Sequence, residues 1–123
     1  MHMTDQDMLL HLAKNGEPWE VRNFAIKNLT DQAVILDFAK NDKNDGIRCV
    51  AIEKLTDQAV LVEFAKHDKY VHARLAAIVR LTDQAMLAEL AENDKEPLVR
   101  DSARRRLDHL NREMEKEKAT EAE

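Results

Sequence analysis

The stretch TDQAVILDFAKNDKNDGIRCVAIEKL, residues 30–55, runs directly into TDQAVLVEFAKHDKYVHARLAAIVRL, residues 56–81. The two align without a gap. The same Thr-Asp-Gln opening stands at Thr4 and Thr82, so the interval is 26 residues each time. A fixed period of this size marks a repeat architecture, in which each unit solves the same packing problem. The repeats run 4–29, 30–55, 56–81 and 82–107, and residues 108–123 follow as a polar tail.

Columns of the alignment show what the units share. Ala13, Ala39, Ala65 and Ala91 coincide, as do Ala25, Ala51, Ala77 and Ala103. Leu9, Ile35, Leu61 and Leu87 form an apolar column, and Leu12, Phe38, Phe64 and Leu90 form another. Apolar positions three and four apart, as in Val60, Leu61, Phe64 and Ala65, have helical period. Each repeat therefore divides into two helices. The first opens at the Thr, whose hydroxyl can cap free N–H groups. It ends at Asn15-Gly16, Asn41-Asp42, His67-Asp68 or Asn93-Asp94. Pro18 and Pro97 sit where the first turn of the second helix tolerates proline. Two helices this short cannot bury their apolar faces alone, so neighbouring repeats must supply the core. The expected fold is all-α: a right-handed α-α superhelix, or solenoid, of four two-helix repeats and eight helices over residues 1–107. Residues 108–123 are expected to form a frayed helical extension that passes into disorder.

The ends differ. Where three repeats carry Ile26, Ile52 and Ile78, the fourth carries Arg104, and Ser102 also replaces an apolar residue. This reads as a C-terminal cap. The first repeat has no such conversion and keeps Met8, Leu9, Leu10 and Phe24. That side is expected to stay adhesive or to be an interface in a longer assembly.

Composition narrows the function. The 123 residues suit one domain, and 35% are charged with a formal net charge of -5. An acidic balance disfavours nucleic acid, whose phosphates need a concentrated basic field. A single cysteine cannot form an internal disulfide, and no secretory h-region or membrane-length apolar run is present, so a cytoplasmic location is expected. His2, His11, His67, His72 and His109 lack the spacing of a zinc helix, and neither a phosphate loop nor a nucleophile signature occurs. No cofactor, metal or catalytic residue is assigned, and the chain reads as a non-enzyme.

Arg22, Arg48, Arg74 and Arg100 align near the start of each second helix, and Asp42, Asp68 and Asp94 stand six residues before the last three. With Ile47, Ala73 or Val99 before the Arg, this pattern resembles the Asp and Val-Arg signature of HEAT repeats, in the short form of bacterial HEAT-like and phycobilisome-lyase-type repeats. The resemblance covers residues 4–107 and implies a helical scaffold. Gly16 departs from the Asp column. A ladder in which each Asp meets the Arg of the repeat before it would account for that departure, because the first Asp would have no partner.

The outward positions of the second helices carry the functional reading. They are Trp19, Glu20, Asn23 and Lys27 in the first repeat, and Asp45, Gly46, Cys49 and Glu53 in the second. The third repeat instead has Val71, His72, Leu75 and Val79, with Tyr70 beside them. An apolar strip on that ridge is expected to bind a protein or peptide, self-association included. The alternative is a nucleic-acid-binding repeat using Arg100, Arg104, Arg105, Arg106 and Arg112, which Asp101, Asp108, Glu113 and Glu115 interrupt.

Overall fold

A computed structural model describes residues 4–122. Among them lie eight helices and no strand: α1 Asp5–Asn15, α2 Trp19–Asn28, α3 Gln32–Asn41, α4 Asp45–Lys54, α5 Gln58–His67, α6 Val71–Ile78, α7 Gln84–Asn93 and α8 Pro97–Ala122. The protein is all-α. It divides into two compact units that meet between Thr56 and Asp57, each holding two repeats.

In the first unit α1 packs on α2, α3 on α4, and α2 on α4. Ile26, Ile35, Ile47 and Ile52 are fully buried, and each contributes roughly 1.5–3 kcal/mol over its exposed state. Ala13, Ala25, Ala39 and Ala51 are also fully buried, so helices approach closely where the side chain is a single methyl. In the second unit α5 packs on α6, α7 on α8, and α6 on α8. Its fully buried residues include Leu61, Ile78, Leu81, Leu87 and Val99.

Repeats are joined by a glutamine clamp that the Thr-Asp-Gln motif supplies. Gln6 donates Nε2 to the Asn28 carbonyl at 3.1 Å and accepts the Thr30 N–H on Oε1 at 3.0 Å. Gln32 does the same for Lys54 and Thr56, and Gln58 for Arg80 and Thr82. The clamp changes the capping expected from sequence. Thr caps only α1, where the Thr4 hydroxyl accepts the Asp7 N–H and the Asp7 carboxylate accepts the Thr4 N–H. In α3, α5 and α7 the cap is the next residue, Asp31, Asp57 or Asp83. There the Thr backbone N–H already serves the preceding glutamine.

The C-terminal segment forms the expected helical extension, and among the described residues it does not pass into disorder. α8 runs unbroken to Ala122. The tail has no Gly or Pro, and Glu113 pairs with Lys116 one turn on at 3.5 Å, so local helix preference carries it forward. Gln84 has no following turn to clamp and donates to Met114 Sδ at 2.7 Å. Pro97 is the first residue of α8, whereas Pro18 stands just outside α2 as its N-cap residue.

Gly16 has a steric reason. A Cβ there would stand 2.5 Å from the Leu12 carbonyl oxygen and 2.7 Å from Val21 Cγ1. Gly16→Ala is expected to destabilise by about 1–3 kcal/mol, as overpacking does, whereas Gly46→Ala, on an exposed turn of α4, should change stability by less than about 1 kcal/mol. Urea unfolding of the two variants checks the contrast.

Candidate functional site

The aligned arginines do two things at once. Arg22 Nε donates to the Ala13 carbonyl at 2.7 Å, Arg48 Nε to Ala39 at 3.0 Å, and Arg74 Nε to Ala65 at 2.7 Å. Each satisfies a carbonyl near the end of the first helix of its own repeat, where no intrahelical donor remains. The outer nitrogens reach onward. Arg22 Nη2 pairs with Asp42 in the first unit, and Arg74 Nη2 pairs with Asp94 in the second. Arg74 also donates Nη1 to Asp94 Oδ1 at 3.1 Å, making a bidentate contact. In both rungs the Asp meets the Arg of the repeat before it.

The aspartates also organise their own turns. Asp42, Asp68 and Asp94 each accept, on Oδ1, the N–H of the residue two ahead, at 2.9, 2.9 and 3.0 Å. Arg48 additionally donates to Asp45 at 3.3 Å. Burial raises the Asp94 pKa, but the hydrogen bonds from Arg74 and the Glu96 N–H, with the charges of Arg74 and Lys95, outweigh it and hold the carboxyl below its ordinary value.

The fourth repeat rearranges the pattern. Arg100 donates to the Asp94 carbonyl at 2.7 Å, while Arg104 Nη2 takes the Ala91 carbonyl at 3.2 Å. Arg106 Nε donates to the Leu81 carbonyl at 2.9 Å. Three of the clustered arginines are thus tied to backbone oxygens. Arg104 also lies 3.9 Å from Asp101.

The ridge residues divide by exposure. Trp19 is 55% exposed and Val79 54%, and His72 is also exposed. Tyr70, Val71 and Leu75 are half-buried. Cys49, expected on the open side of α4, is half-buried as well. Tyr70 is the N-cap residue of α6 but makes no side-chain cap, whereas Asn44 at the same position of the second repeat caps α4 through Ile47 N–H at 3.1 Å. Its ring instead lies 5.4 Å from the His72 ring, tilted by 57°. Val79 falls just past α6, whose last turn tightens as the Arg80 N–H bonds the Ala77 carbonyl.

His11 lies beside Asn15, and His67 stands 3.8 Å from Glu63. His2 lies outside the described residues. Among the described residues no group of three or more His, Cys, Asp or Glu is placed to hold a metal ion, and no helix is long and apolar enough to cross a membrane. No protein-family model, curated protein or solved structure matches this sequence.

The depressed Asp94 carboxyl gives a pH prediction. Its folded pKa lies below the unfolded value of about 3.9, so its contribution is fully present above that value and is lost as pH falls through the folded pKa. Wild type should be more stable than Asp94→Asn at neutral pH, and the gap should close as pH drops below about 4. Urea midpoints of both proteins across this range check it, and a constant gap would contradict the assignment.

Proposed function

We propose that the chain is a protein- or peptide-binding scaffold of the HEAT-like kind, a right-handed solenoid that offers the ridge of its second helices. The observation that carries this reading is the third repeat. Where the equivalent positions of the second repeat hold Asp45, Gly46, Cys49 and Glu53, the third presents Val71, His72, Leu75 and Val79, with Tyr70 in place of a capping Asn. Giving up a helix cap costs about 1 kcal/mol, and the part of the strip left in water, exposed Val79 with the open sides of half-buried Val71 and Leu75, costs solubility. Both costs are offset when a partner covers the strip. Within the first unit, Trp19 is likewise an exposed large apolar residue on a second helix.

The competing reading, nucleic-acid binding through the C-terminal arginines, gains less support. Arg100, Arg104 and Arg106 are committed to the carbonyls of Asp94, Ala91 and Leu81. The net charge of -5 opposes phosphate as well. Catalysis is not part of the proposal, and the partner is a protein rather than a membrane or a cofactor.

Val79→Glu tests the reading, because Val79 is well exposed. The variant should keep its melting temperature within a few degrees of wild type, as surface substitutions do. It should lose capture of any protein that immobilised wild type retains. Binding should decline only mildly between low and moderate salt, since few phosphates are involved. Undiminished capture by both Val79→Glu and Leu75→Glu would end the proposal.

A further inference from the structure

The first repeat has an open apolar side that the second does not. Met8, Leu9 and Leu12 on α1, with Val21 and Phe24 on α2, recur at helical spacing and share one side of the α1–α2 hairpin. In the second repeat the matching residues are half-buried Val34 and Val50 and buried Ile35, Phe38 and Ile47. In the first, Leu9, Leu12 and Val21 are only half-buried, Met8 is 53% exposed and Phe24 61%. The hairpin of the first repeat thus keeps the side chains of an internal repeat but not the cover.

The joints by which one repeat receives another are closed on that side. The connectors that a repeat uses to receive its predecessor are its Asp and its Thr N–H, as Asp42 and Thr30 show. In the first repeat the Asp is replaced by Gly16, where a Cβ would collide with Leu12 O, and the Thr4 N–H is taken by Asp7. The polar connectors are closed while the apolar surface stays open. Head-to-tail stacking of copies therefore lacks its joints.

We propose that this side is a homodimer interface, in which α2 of two copies packs antiparallel about Phe24. The charges beside Phe24 are self-complementary. Glu20 lies four residues before it and Lys27 three after, both exposed, so they stand about 6 and 4.5 Å along the axis to either side. An antiparallel two-fold pairing about Phe24 sets Glu20 against Lys27 of the partner subunit, and the symmetry makes that contact twice. A parallel pairing would set like charges together. Each copy offers roughly 300–400 Å² of apolar surface, chiefly Met8 and Phe24, with Glu20 and Lys27 at its rim, which places the pair among weak interfaces of about micromolar to millimolar affinity.

Sedimentation equilibrium of the full chain from about 5 μM to about 500 μM covers that affinity range. Wild type should show a concentration-dependent dimer. Phe24→Ser should be monomeric throughout with an unchanged circular dichroism spectrum, whereas Glu92→Ser, at an exposed position of α7 outside both surfaces, should dimerise as wild type does. Glu20→Lys and Lys27→Glu should each raise Kd roughly tenfold, because each exchanges two attractive contacts for two repulsive ones. The double exchange Glu20→Lys/Lys27→Glu should restore wild-type affinity. A wild type that stays monomeric at the highest concentration, a dimer that survives Phe24→Ser, or a double exchange no tighter than its parents would each overturn the proposal.

Discussion

The aligned arginine is the constraint on which the rest of each unit depends. A helix end leaves carbonyls without donors, and a buried carbonyl without a donor costs on the order of 1–3 kcal/mol. Arg22, Arg48 and Arg74 answer that need in their own repeats. Burying a guanidinium is itself costly unless it is paired. Asp42 and Asp94 supply that pairing from the following repeat within each unit. One side chain thereby ties a hairpin closed and fixes the register of the next hairpin against it. The glutamine clamp repeats this logic on the opposite edge of the hairpin, where Gln6, Gln32 and Gln58 hold the turn that leads into the following repeat.

Much of this was legible in the sequence because it recurs. The period of 26 residues, the alanine columns and the Asp and Arg columns each gave the same answer from several repeats. Helix number and type follow from spacing alone. The direction of the rungs was also readable, since the first repeat alone departs from the Asp column, at Gly16. Capping was harder. Thr and Asp are both good caps, and the choice between them depends on a glutamine 24 residues earlier that claims the Thr N–H. No local rule contains that contact.

The ends show the same limit. Arg104 is visible as a departure from the isoleucine column, but its service to the Ala91 carbonyl, in place of Arg100, needs the fold. The tail looked too polar to order itself, yet a segment free of Gly and Pro that begins on an already formed helix skips the costly nucleation step. For the ridge, the 100° rotation per residue located Val79 and His72 on the open side. It overstated Cys49 and Leu75, which are half-buried, because a wheel knows angles but not the height of the neighbouring side chains.

A double-mutant cycle on Arg74 and Asp94 tests the central claim most directly. Arg74→Met, Asp94→Asn and the double variant would be unfolded in urea at neutral pH beside wild type. If the rung couples the third repeat to the fourth, each single change destabilises by about 2–4 kcal/mol, and the double costs at least about 1 kcal/mol less than their sum. Strict additivity within about 0.3 kcal/mol would mean that the two residues act separately and that the rung does not join the repeats.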